Sequence, residues 1–446
     1  MKLRGLITAM IVLLLLMAAL YWSKRHPKAA ETTEASANAA PKVLSLKQDD
    51  ISRIDLKKKG SDEIVLAKNN GTWQMAAPKP LGADQSTVSS MLSTLSSLNS
   101  ERLVEDKAEN LGQYGLADAP LEADVTEKDN KTQKLLLGDK TPSENAVYAK
   151  LDGDPRVFTI AAYEKNSIDK SVNDLRDKRL ITANQDKISK IELLAKKQEI
   201  EFGRNKDEWQ IVKPKPLRAD GTQVEDLVRN LADAKMELSP SEDAKKIAAS
   251  FASAVPVAAA KVTDESGTQE LQIRKNKDDY YAKSSVVDGI YKVPSSLGQA
   301  MDKGLDDFRN KKLFDFGFTE PNKIEIHDGG KSYFLTRSGE DWWNGSGQKL
   351  DAGSAQSVIE KVRDLSATKF VDSGFTQPVV DLVVISNDGK RTEKVLISKN
   401  GENYTAKREG EPALYEIDAK AVSDLQKAAE DLKTAAAANS PAKPAK

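Results

Sequence analysis

A chain of 446 residues is too long for one compact core, and its length points to about three domains. Its 67 basic and 68 acidic residues nearly cancel, so no broad basic field is available to hold nucleic acid. With no cysteine and only two histidines, His26 and His327, the composition excludes thiol catalysis, disulfides and thiolate zinc sites, and argues against a histidine metal cage or a Ser-His-Asp triad.

The N-terminus carries the first element. Lys2 and Arg4 precede Leu6–Trp22, LITAMIVLLLLMAALYW, which is uncharged and close to the lower length limit of a spanning helix. Tyr21 and Trp22 end it, as interfacial aromatics do. Ser23, Lys24, Arg25 and His26 are poor surroundings for cleavage, and Ala37–Ala40 lie far downstream, so 6–22 reads as an uncleaved signal anchor rather than a signal peptide. Basic residues flank both ends, but long domains translocate despite charge. The expectation is a single-pass inner-membrane protein with residues 1–5 cytoplasmic and the bulk periplasmic or extracytoplasmic. The opposite orientation would leave the bulk in the cytoplasm. Residues 23–43, rich in Ala, Thr, Ser and Glu, read as a flexible stalk, and 434–446 as a disordered tail.

Between stalk and tail the dominant signal is an internal repeat. The spacing from Trp73 to Trp209 is also the spacing from Pro78-Lys79-Pro80 to Pro214-Lys215-Pro216 and from Asp84 to Asp220. Later, Tyr148-Ala149-Lys150 answers Tyr281-Ala282-Lys283, and Asp174-Leu175-Arg176-Asp177-Lys178 answers Asp307-Phe308-Arg309-Asn310-Lys311, at a slightly shorter spacing. A divergent third copy keeps Ile324-Glu325-Ile326, Trp342-Trp343, Leu350-Asp351 and Tyr404-Thr405-Ala406-Lys407, but Gly345–Gly347 replace the double proline. The modules are predicted at 44–183, 184–315 and 316–433.

Within a module, Ile54 and Leu56, then Ile64 and Leu66, alternate about a turn at Lys59–Asp62 and predict a hairpin. Asn69-Asn70-Gly71 turns into a third strand, Thr72–Met75, which Pro78 and Pro80 stop. Asp84 caps a helix whose Val88, Met91, Leu92, Leu95 and Leu98 have helical spacing. Asp220 and Asp351 stand at the same place in the other copies. Four short strands follow, around Glu122–Thr126, Lys134–Leu137, Val147–Lys150 and Val157–Ile160, and a charged helix over Ile168–Arg179 closes the module. The class is α+β: an N-terminal transmembrane helix, then tandem modules of antiparallel β-meander sheet with a packed helix.

The repeated residues read as structural. Trp73 and Trp209 suit a sheet–helix core better than ligand stacking. Asp84, Asp220 and Asp351 suit capping better than catalysis. Trp342 and Trp343 differ, because adjacent strand residues face opposite ways and one of them is turned outward beside two glycines; they are the candidate partner or sugar contact. His327 reads as structural or superficial. No phosphate loop, calcium loop or metal spacing is present, so no catalytic residue, cofactor or metal is expected.

The order Ile-x-x-Ile, Gly-x-Trp, Pro-x-Pro, Ala-Asp, Tyr114-Gly115-Leu116, Leu137-Gly138, Tyr-Ala and Asp-Leu-Arg-Asp-Lys resembles the bacterial family called domain of unknown function 4340. The likeness is close over 44–181, clear at both ends of 188–313 and faint over 324–432. It implies an envelope protein with an N-terminal membrane helix, associated with gliding-type ABC transporter components, and it carries over no catalytic residues. The function expected is a membrane-anchored, non-enzymatic accessory or scaffold for a membrane complex, with ABC-type transporter subunits or other envelope proteins as partners. The alternative is an envelope glycan-binding module or a carboxylate-based hydrolase.

Overall fold

The computed structural model describes residues 42–435 apart from 45, 207 and 240–242. The segment expected to anchor the chain, the stalk up to residue 41 and all but the start of the tail lie outside the described residues. Among the described residues no helix is long and apolar enough to cross a membrane. The chain divides into two compact units after Lys178.

The first unit is built on one antiparallel sheet of nine strands. Ile51–Lys58 lies near its middle. On one side it pairs with Ile64–Asn69, followed outward by Thr72–Ala77 and Leu81–Gly82. On the other it pairs with Leu121–Glu127, followed by Thr132–Lys140, Ala146–Leu151, Val157–Ala161 and the edge strand Arg102–Glu105. The sheet is therefore not one meander but two, joined back to back through their first strands. The capped helix Gln85–Ser96 lies in the connection between the halves and buries Val88, Met91, Leu92 and Leu95. The pattern of the opening strand explains a local irregularity. Ile51 and Ile54 are an odd number of residues apart, so strict alternation would turn one of them out. A bulge between Ile51 and Arg53 returns both to the core.

The second unit carries two eight-stranded sheets of the same plan. In the first of them Lys190–Ala195 pairs with Gln198–Asn205 and with Val255–Asp264. In the second, Lys323–Asp328 pairs with Lys331–Ser338 and with Pro378–Ser386. Each sheet has its own capped helix, Gly221–Ala232 or Ala352–Asp364, and its own apolar cluster.

Three local differences from the sequence reading have physical causes. The segment Ile168–Arg179 is not one helix. Helix Ala162–Ile168 ends, Ser171 caps a four-residue helix Val172–Leu175, and Arg176 turns extended to bridge Ala83. There the Asp84 amide donates to the Leu175 carbonyl at 2.8 Å, so a pairing with the start of the capped helix overrides the helical charge pattern. In the second copy the region around Phe251 is an added helix, Ala244–Ser253. In the third, helix Ala419–Glu430 packs beside Ala352–Asp364 and buries Val422, Leu425, Ala428 and Ala429.

Candidate functional site

The repeated tryptophans occupy one structural position. Trp73, Trp209 and Trp342 are 5%, 5% and 6% exposed, each on the core face of a short strand that leads towards the capped helix. The Trp73 backbone is clasped by Gln85, whose side chain accepts from the Trp73 amide and donates to its carbonyl, both at 2.9 Å. Trp209 Nε1 donates to Glu225 at 2.8 Å, with the Arg204 guanidinium 5.6 Å from the indole centre.

The aspartates occupy a second repeated position. Asp84, Asp220 and Asp351 accept from the amides of Thr87, Gln223 and Ser354 at 2.9, 3.2 and 2.9 Å. Burial alone would raise the Asp84 pKa, but donors from Thr87 and Ser86 hold it below the ordinary carboxylate value. The peptide bonds before Pro78 and Pro214 are both cis.

Trp343 departs from this pattern. It follows buried Trp342 on the edge strand Asp341–Trp343 and so faces the opposite side of the sheet. There it pairs with Thr336, which pairs in turn with Lys323, forming one row across three strands. The turn Asn344–Gly347 folds back beside it. Asn344 Oδ1 accepts from the amides of Ser346 and Gln348 at 3.0 and 2.9 Å, and Gly347 has φ 76°. Gly345 lies flat against Phe334: a Cβ added to it would stand 3.0 Å from Phe334 Cδ2. Trp343, Tyr333, Phe334, Asn344–Gly347, Thr336 and Glu430 line an open cavity of about 930 Å³. The Trp343 indole N–H is shielded from solvent and has no hydrogen-bond partner.

His327 borders this region on the outer face. Its ring meets Phe334 edge-on at 5.6 Å, and Nδ1 lies 2.8 Å from Ser332 Oγ. Among the described residues no group of three or more acidic, histidine or cysteine side chains is arranged to hold a metal ion.

A second polar constellation lies within the second unit. Arg218, which follows the Pro-Lys-Pro element, reaches Asp315 at 2.5 Å and Glu411 at 2.9 Å and donates to the Tyr415 hydroxyl at 3.2 Å. Arg391 and Arg408 complete it, reaching Glu393 at 3.2 and 3.0 Å, and Arg408 also reaches Glu411 at 2.9 Å. Three guanidinium groups face three carboxylates, so the charge is balanced internally. Burial works against the Arg218 charge, yet Asp315, Tyr415 and Glu411 hold its pKa above the ordinary value. Burial pushes the Tyr415 phenol up, opposed by Arg218 and helped by its hydrogen bond to Glu411. These residues are dispersed between 218 and 415 in a chain that is 30% charged, and no spacing rule gathers them.

A family model described as Domain of unknown function (DUF4340) matches the chain twice, over residues 73–210 and 209–382. The chain belongs to this family. No curated protein and no solved structure matches it. The two DUF4340 matches begin at Trp73 and Trp209, so their step is the repeat spacing read from the two tryptophans. The first ends within the third strand of the second copy, and the second runs past that of the third copy and covers Trp342, Trp343 and the Asn344–Gly347 turn. Trp343 and the turn beside it therefore sit within a DUF4340 match, at the point where the third copy differs from the first two, while Glu430 at the cavity wall lies beyond it.

Proposed function

We propose that this DUF4340 protein is a membrane-anchored, non-enzymatic envelope protein whose tandem modules serve as an accessory or scaffold for a membrane complex such as an ABC-type transporter. The observation that carries the reading is the fate of the repeated residues. Trp73, Trp209 and Trp342 fill cores, and Asp84, Asp220 and Asp351 cap helices. What the repeat preserves is thus accounted for by folding, and what remains for function is surface that differs from copy to copy. Surface that varies from module to module suits partner holding better than chemistry, which needs acid, base or nucleophile to converge. The apolar run Leu6–Trp22 supplies the anchor, and the bulk of the chain is placed outside the inner membrane.

The test is capture of the tagged full chain from solubilised membranes after mild crosslinking, with a C-terminal reporter fusion to fix the topology. Recovery of a transporter subunit or another envelope protein in fixed proportion supports the reading. A chain that runs alone after crosslinking, or that is recovered in the soluble fraction, overturns it.

A second reading is favoured by one specific observation, the aromatic cavity at Trp343. On that reading the chain is an envelope glycan-binding module. A carboxylate hydrolase has less support, because Glu430 at the cavity wall is paired with Lys331 at 2.5 Å rather than with a second carboxylate.

A further inference from the structure

We infer that the cavity beside Trp343 is a saccharide subsite that takes a neutral glycan of two or three rings. The inference rests on the glycan-binding reading and deepens it.

Three features of the lining select this chemistry. The first is the platform. Trp343 presents its ring on the outer face of an edge strand, with Phe334 on the neighbouring strand and Gly345 packed flat on Phe334. Flat aromatic surface at a sheet edge suits the axial C–H face of a sugar ring. The second is the polar complement. Ser332, Thr336, Asn344, Ser346 and Thr434 give hydroxyl and amide groups, each able to donate and accept, which is what a polyhydroxylated ligand needs.

The third is the charge. Lys323 is paired with Glu325, and Glu430 with Lys331. The charged side chains at the wall are therefore already satisfied within the third module, and the site demands neither an anion nor a cation. A peptide would call for aliphatic pockets at alternate positions. Beyond Trp342 the edge is taken, with the Leu350 amide donating to the Trp342 carbonyl at 2.7 Å and the Ala435 amide to the Lys349 carbonyl at 2.8 Å, while Ser332–Leu335 pairs with a strand on one side only.

The unpartnered Trp343 N–H adds a further indication. An indole donor held out of water without an acceptor is destabilising. A ligand hydroxyl that reaches it supplies the acceptor that the protein does not.

The site is absent from the other copies for a structural reason. In the first two, the residue after the core tryptophan is Gln74 or Gln210, and a two-residue strand, Leu81–Gly82 or Leu217–Arg218, pairs at that edge after the double proline. The third copy replaces both with Trp343 and the glycine-containing turn.

The experiment uses the full chain in detergent with chitotriose, cellotriose and maltotriose, each titrated to about 10 mM, where even millimolar affinity is measurable. Ligand-observed NMR reads binding, and tryptophan fluorescence reads the indole. Saturable binding of at least one trisaccharide is expected. It should be weakened about tenfold or more by Trp343→Ala and retained within a few fold by Trp343→Phe, which keeps a stacking face. Thr336→Arg, at the exposed strand position opposite Trp343, covers the indole without touching the core and should also abolish binding. It serves in place of Trp343→Ala if that variant fails to melt cooperatively. Binding that survives both Trp343→Ala and Thr336→Arg overturns the site while leaving the glycan-binding reading standing. Absence of binding by all three sugars overturns both.

Discussion

Arg408 and Glu393 form an ion pair at 3.0 Å with both side chains almost withdrawn from water, 9% and 4% exposed. They sit on neighbouring strands of the third sheet, and Arg408 also donates to the Leu313 carbonyl. Removing one partner leaves the other in a poorly solvated place with a remaining counter-charge, Glu411 for Arg408 and Arg391 for Glu393. Glu393→Ala or Arg408→Ala is expected to destabilise the protein by about 1–3 kcal/mol, whereas replacing both by methionine should cost less than the two single changes together. Urea denaturation of the four proteins checks this, and additive losses would refute it.

Gly298 lies against the ring of Tyr280. A Cβ at Gly298 would come within 2.2 Å of two ring atoms, far inside contact distance. Gly298→Ala should therefore lower stability by about 1–3 kcal/mol through overpacking, with partial recovery when Tyr280→Leu is added. Gly221, at the first position of its helix with nothing near its Cβ, is the control. Gly221→Ala should be neutral or stabilising by up to about 1 kcal/mol. Thermal melts of the three variants decide.

The cap at Asp84 is linked to pH. Its folded-state pKa lies below the unfolded value, so its contribution is fully present above the unfolded carboxylate pKa and is lost as pH falls through the folded one. Asp84→Ala should cost about 1 kcal/mol at neutral pH, and that difference should shrink in acid. Asp84→Asn, which caps without titrating, should lose less stability on acidification than the parent. A loss equal to that of the parent would exclude Asp84 as the group responsible.

Trp209 donates to Glu225 at 2.8 Å across the strand–helix contact. Glu225→Ala leaves the indole N–H of a buried tryptophan without its acceptor. About 1–3 kcal/mol of stability should be lost, most of it restored by Glu225→Gln, which still accepts. Chemical denaturation followed by tryptophan fluorescence measures both.

Much of the module was legible from local pattern. The hairpin, the Asn-Gly turn, the tryptophan strand and the aspartate cap are each specified by residues adjacent in sequence, and their recurrence supplied the repeat. Helix Ile168–Arg179 was misread for the opposite reason. Its charged spacing is helical, but the Arg176 backbone is taken by Ala83, nearly a hundred residues earlier, and no local rule contains that partner. The joining of two meanders through Ile51–Lys58 and Leu121–Glu127 likewise depends on a pairing across the whole helical connection.

The candidate site divides in the same way. That one of Trp342 and Trp343 faces outward follows from strand alternation, a property of the backbone alone. That the outward one is Trp343, that Phe334 and Glu430 stand beside it, and that Lys323 and Glu430 are already neutralised depend on sheet register and on the docking of helix Ala419–Glu430. By itself the sequence determined the repeat, the α+β modules and the family. Only tertiary structure decided which side chains share a cavity and which charges meet, because those neighbours come from distant strands and helices brought together by burial.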